Sequence, residues 1–236
     1  MENEMASRKN TARVVGLLYL IWILTAIYDL MYVQSQTIVS GDAVATAKKI
    51  LDNEFVFRTG IINSIISSTI FVFLGLVLYR LFKQVNEHQA KLLVALVIVQ
   101  IPAVFFMGAL DITSLMLFKG NILKTFEASQ RQDLAMLFLK MNNYTTIILE
   151  MFWGLWLFPF GILVYRSGFI PRILGVFLIL NGIAYVIHCF THLLLPNYQN
   201  IVFQIATPIW VLGEITIMLW LLIKGVKNNI PTIDKQ

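Results

Sequence analysis

The sequence is poor in charge, in cysteine and in histidine. Of its 236 residues only 13% are Asp, Glu, Lys or Arg, while 58% are hydrophobic, and soluble domains carry about 25% charged residues. This excludes an ordinary soluble domain and points to a chain that spans membranes. A single cysteine, Cys189, excludes an intramolecular disulfide and any thiolate metal cluster within one chain. There is no Gly-rich phosphate loop, no GxSxG elbow and no Gly/Pro-broken hydrophobic segment repeated in two halves. ATPase, serine-hydrolase and inverted-repeat transporter readings therefore lack support. The net charge of +5 does not mark a nucleic-acid binder. Its Lys and Arg residues are scattered between apolar runs, with no basic helix and no interleaved aromatics, so the expected partner is a lipid bilayer with anionic headgroups.

What the chain does contain is long apolar runs. Six reach membrane-spanning length, at about 14–33, 57–79, 92–118, 144–165, 172–195 and 202–223. The expected architecture is all-α and polytopic, a single domain of six transmembrane helices over residues 1–236, with short amphipathic helices in the outer loops. Residues 1–11 read as a polar tail. The run after Arg13 is too long for a signal-peptide core and lacks a small-x-small site, so the first span is expected to be retained. Ser40-Gly41-Asp42 offers a helix cap ahead of AVATAKKIL. Residues 132–141 read as a second, interfacial amphipathic helix. Pro102 should kink the third span.

Small residues indicate which helices touch. Gly60, Ser64 and Ser68 recur every fourth residue on the second span. Gly154 and Gly161 on the fourth, and Gly175 and Gly182 on the fifth, stand seven apart. Two antiparallel helices so spaced can pack closely along their length.

The intramembrane polar residues form the candidate site. On the fifth span Asn181, Tyr185, His188 and His192 fall at i, i+4, i+7 and i+11, within an arc of roughly 60°. Such a stripe must face protein or water. Asp111 costs about 3 kcal/mol at a membrane centre, which the apolar residues around it offset by about 5–10 kcal/mol. Asp29, Asn63, Asp111, Glu150, Asn181, His188, His192 and Glu214, joined by Gln204, are expected to form a polar interior open toward the outer face. His188-x-x-x-His192 is a spacing from which two imidazoles can reach one ion. With Asp111 and Glu150 it makes a candidate site for a divalent metal.

Several stretches carry a resemblance: TARVVGLLYLIWIL, GDAVATAKKIL, YRSGFIPRILGVFLILNGIAY, LLLPNY and GEITIMLWLLIKGVK. Together they resemble a bacterial family of multi-span membrane proteins catalogued only as a domain of unknown function. The resemblance covers nearly the whole chain. It implies a bacterial inner-membrane location and a single domain, and supplies no activity, ligand or catalytic residue. Three functional readings follow from the residues. The first is a membrane protein with a polar cavity, acting in small-molecule or ion handling or in envelope sensing. The second is a metal-dependent intramembrane hydrolase of a lipid-like substrate. The third is a structural or partner-binding membrane subunit.

Six spans put both ends on one side. Arg8, Lys9, Arg13, Arg80, Lys83, Lys91, Arg166, Arg172, Lys224, Lys227 and Lys235 would then share that side, eleven cations against seven in the longer segments opposite. The positive-inside bias assigns both termini to the cytoplasm. Single cysteines at Gln199 and Lys227 in a Cys189→Ser background test the assignment with a membrane-impermeant thiol reagent. In intact cells the cysteine at 199 is expected to label and the one at 227 to stay protected.

Overall fold

The computed structural model describes residues 2–39 and 41–226, with only the backbone of residues 2–5. Ser40, Lys227 and Lys235, used above, lie outside the described residues. The helices are α1 (Glu2–Ile27), α2 (Gln34–Thr37), α3 (Ala43–Asp52), α4 (Glu54–Phe82), α5 (Glu87–Ile98), α6 (Ile101–Phe118), α7 (Ala128–Arg166), α8 (Arg172–Leu194) and α9 (Gln199–Leu219). Wider π turns at Tyr28–Val33 and Trp220–Lys224 follow α1 and α9. No strand occurs among the described residues. Six stretches are long and apolar enough to cross a membrane: Ala6–Thr37, Glu54–Phe82, Glu87–Phe118, Ala128–Arg166, Arg172–Leu194 and Pro196–Lys224. Each contains one expected span or nearly all of it, and the protein is an all-α, polytopic membrane protein.

Local chemistry explains several helix ends. Asp42 caps α3, its carboxylate accepting from Ala45 N at 2.9 Å. Asn86 caps α5 in the same way through Gln89 N, at 3.0 Å. Between α7 and α8, Gly168 takes φ +70°, a conformation that suits glycine. The Ser167 hydroxyl donates to Val164 O at 2.8 Å and accepts from Ile170 N. Pro171 stands one residue before α8, where its missing N–H costs nothing.

Three expectations gain detail. The polar tail is helical, because Glu, Met, Ala, Arg and Lys are good helix formers and Arg8 ties α1 down. Its guanidinium donates to Gln84 at 2.6 Å and lies 5.4 Å from the Phe169 ring centroid. Residues 132–141 are helical but continue without a break into the fourth span as α7; nothing in the sequence between them disrupts the backbone hydrogen bonds. At Pro102 the third span is interrupted, α5 ending at Ile98 and α6 starting at Ile101. Proline cannot donate the bond that would continue the helix.

The contacts gather the chain into two compact units. The first comprises the chain up to Leu20, Phe71–Val99 and the chain from Ile147, and the second Ile21–Ile70 and Gln100–Thr146. The first has an aromatic core of Tyr19, Phe82, Trp156, Phe160 and Phe169, all at most 1% exposed, with Phe82 stacked on Phe169 and Trp156 on Phe160. A close backbone seam joins α7 and α8. A Cβ built on Gly154 would lie 2.6 Å from Gly182 O, and one on Gly161 2.7 Å from Gly175 O. These are the four glycines expected to meet. At Gly16 a Cβ would come within 2.6 Å of Leu222 Cα, so α1 approaches the C-terminal π turn equally closely. In the second unit a small core of Ile50, Phe57, Ile61 and Leu115 holds α3, α4 and α6 together, and Gly60 packs under Val33.

Gly161→Leu would drive a side chain into the backbone of α8. Overpacking of this kind costs about 1–3 kcal/mol, and denaturant unfolding in detergent micelles is expected to show a destabilisation of that size.

Candidate functional site

The fifth-span stripe lies along a face of α8 that is buried or half-buried. Asn181 and His188 on α8 are buried, while Tyr185 and His192 are half-buried. The glycine seam brings α7 against this face. Four residues before Gly154 stands Glu150, and six after Gly182 stands His188. His188 Nδ1 and Glu150 Oε2 are 2.5 Å apart, with the two residues 5% and 8% exposed. At this distance the ring nitrogen and the carboxyl oxygen are hydrogen-bonded, the tautomer of His188 deciding which of them donates. His192 follows one turn on, its ring centroid 6.2 Å from that of His188.

A second carboxylate lies on the same side of the first unit. Glu214 of α9 accepts from Tyr19 at 3.1 Å through one oxygen, and from Tyr185 at 3.2 Å and Asn181 Nδ2 at 3.5 Å through the other. Asn181 Nδ2 also donates to Trp210 O at 3.3 Å. Asn181 fits only because α9 carries glycine opposite it, a Cβ on Gly213 falling 2.8 Å from Nδ2. Rings connect the two carboxylates. Tyr185 stacks on Trp210 at 4.5 Å and 9°, and Trp210 meets His188 edge-on at 5.3 Å. Trp153 and Phe203 close the cluster against Tyr185 and His188. Asn181 Oδ1 and Trp210 Nε1 are buried here without a hydrogen-bond partner among the described residues.

The remaining candidates belong to the second unit. Asn63 donates to Thr25 O at 2.9 Å. Asp111 accepts from Asn142 at 2.7 Å, and Asn142 also donates to Met107 O. Asp29 sits in the first π turn, its Oδ1 3.5 Å from where a Gly60 Cβ would be. Gln204, expected inside, is exposed on α9, because the face of α9 that packs on α8 is the one bearing Trp210, Gly213 and Glu214. Among the described residues no three His, Cys, Asp or Glu side chains are grouped so as to hold a metal ion. The histidines stand with Glu150, and Asp111 stands with Asn142.

The sequence pattern had not singled out Tyr19, Trp153 or Asn142. A polar tip on an otherwise apolar helix is the signal for Tyr19 and Asn142. Trp153 has none beyond its place one turn from Glu150.

A family model described as Domain of unknown function (DUF4386) matches residues 14–225. The chain belongs to this family. All of the site residues named above lie within the matched span of DUF4386. No curated protein and no solved structure matches the chain.

Tyr185→Phe removes one donor from Glu214 while keeping the ring stacked on Trp210. A hydrogen bond contributes about 0.5–1.5 kcal/mol net, and denaturant unfolding of the variant in micelles is expected to register a loss in that range. A Tyr185→Phe protein as stable as wild type would mean that the bond contributes nothing.

Proposed function

We propose that this DUF4386 chain handles an ion within the membrane, and that the ion is a proton held by His188 and Glu150. The observation that carries the reading is the buried 2.5 Å contact between them. Ionisable groups inside a membrane are costly, and chains of Asp, Glu and His are a recurrent means of moving protons there. A paired imidazole and carboxylate exchange one proton between them without either charge being stranded in a low-dielectric surround. His192, half-buried one turn away, is the group through which a proton reaches the pair.

From there the path leads toward Glu214. Its three donors, Tyr19, Tyr185 and Asn181, stabilise a carboxylate, and the hydroxyls of the two tyrosines can each pass on a proton. The orphaned Asn181 Oδ1 and Trp210 Nε1 support this reading, since each can bond a water molecule that completes the connection. On this reading the protein lies in a bacterial inner membrane with both termini cytoplasmic. His192 then lies toward the outer face, where a polar opening admits the proton. The lysine and arginine distribution supports that orientation.

A second reading is favoured for the other unit by particular contacts. Asn63 and Asn142 donate to backbone carbonyls of neighbouring segments, Thr25 O and Met107 O. Interhelical bonds of this kind contribute about 0.6 kcal/mol each. The polar groups of that unit serve to pack helices.

Liposomes loaded with a pH-sensitive dye test the proton reading. Vesicles containing the wild-type chain are expected to dissipate an imposed pH gradient faster than empty ones, and Glu150→Gln to bring the rate back to that of empty vesicles. In infrared difference spectra on acidification, a carboxyl band is expected in wild type and absent in Glu150→Gln. Wild-type behaviour of Glu150→Gln in both measurements would refute the assignment.

A further inference from the structure

The first unit has another polar feature, far along α1 from the Glu214 cluster and with no part in it. Ala6, Ser7, Asn10, Thr11 and Val14 of α1, with Val77 and Arg80 of α4, line an open cleft of about 580 Å³. From this lining we propose that the cleft binds one anionic phospholipid, its phosphate at Arg80, Ser7 and Asn10 and an acyl chain along Val14 and Val77.

The lining is graded as an amphiphile would need. Arg80, Ser7 and Asn10 are exposed and supply a guanidinium, a hydroxyl and an amide, all of which donate to phosphate oxygens. The Thr11 hydroxyl already donates to Ser7 O at 2.9 Å, which leaves its oxygen as an acceptor toward the glycerol part. Further into the membrane the wall becomes apolar. Leu17, one turn beyond Val14, and Phe73, one turn beyond Val77, are 49% and 56% exposed, and extend the wall by the length of an acyl chain's first several methylenes.

Charge decides the class of lipid. Among the described residues no Asp or Glu lines the cleft, and Arg80 has no ion-pair partner. Arg13 and Lys83, both exposed, flank it in sequence. Arg8 is already engaged by Gln84 and the Phe169 ring, so it holds α1 in place while Arg80 remains available. A choline or ethanolamine headgroup would set its own cation against these charges, whereas a net-anionic headgroup meets none of its own sign among the described residues. The size also fits, since ligand sites of about 300–1,000 Å³ hold molecules the size of a headgroup and upper chain. The bound lipid would brace the start of α1 against the end of α4.

Native mass spectrometry of the full chain from neutral detergent tests this. The protein is titrated with phosphatidylglycerol, phosphatidylcholine and inorganic phosphate, and retained ligand is counted. One phosphatidylglycerol is expected to be retained in preference to phosphatidylcholine. A basic residue near anionic lipid contributes about 1 kcal/mol, so Arg80→Gln is expected to weaken retention about fivefold. Arg80→Lys should keep most of it. Ala6→Trp, which fills the cleft and leaves every charge in place, should lose the lipid as well. Lys91→Gln, whose partner is Glu87, serves as the charge-matched control and should bind as wild type does. Equal retention of phosphatidylcholine, capture of inorganic phosphate as strong as that of lipid, or wild-type retention by Arg80→Gln and Ala6→Trp would each overturn the proposal.

Discussion

The contact on which the first unit depends is the backbone-to-backbone seam between α7 and α8. Gly154 meets Gly182 and Gly161 meets Gly175, each so closely that any Cβ would strike the opposite carbonyl. In a membrane the hydrophobic effect does not drive helices together, and close packing of small residues does much of that work. The seam also sets register. Once two antiparallel helices interlock at two points, every residue beyond them has a fixed opposite number, and the pair that follows the seam is Glu150 with His188. A slip of one residue would rotate the carboxylate away from the imidazole. The short contact at the site is therefore a consequence of glycines that carry no chemistry themselves.

A second layer of the same logic operates through α9. Gly213 leaves room for Asn181, Asn181 bonds Trp210 O and Glu214, and Trp210 stacks on Tyr185. Glycine again creates the space, and polar and aromatic groups fill it. The arrangement satisfies Glu214 with the neutral donors Tyr19, Tyr185 and Asn181, which keeps it distinct from the surface pairs Glu54 with Arg58 and Lys119, and Glu87 with Lys91. Those pairs stand in solvent-accessible positions and contribute little to stability. Among the described residues, Glu214 and Glu150 are the carboxylates of the first unit whose surroundings are built from protein.

The two units use polarity differently. In the first, carboxylates meet imidazole, phenol and amide side chains through which a proton can move. In the second, Asn63 and Asn142 reach backbone carbonyls, and Asp111 is held by Asn142. A hydrogen bond to a backbone carbonyl fixes a helix to its neighbour, and a carbonyl oxygen takes up no proton at ordinary pH. The division between the proposed ion handling and helix packing thus follows from the partner each side chain finds.

The sequence by itself determined the number and class of the spans, the facing stripe of α8 and the glycine seam. Each of these is periodic within one segment, and period and length are written in the chain: about 20 apolar residues cross a bilayer, and 3.6 residues per turn place 181, 185, 188 and 192 on one face. Only the tertiary structure decided which polar groups meet. Asp111, Glu150 and the two histidines were equally available as one cluster from spacing alone, yet Glu150 went to His188 and Asp111 to Asn142. Tyr19 joined Glu214 from a helix 195 residues away. Pairing between helices depends on their register, rotation and neighbours, and these are set by contacts such as Gly213 beneath Asn181 that leave no periodic mark in either segment.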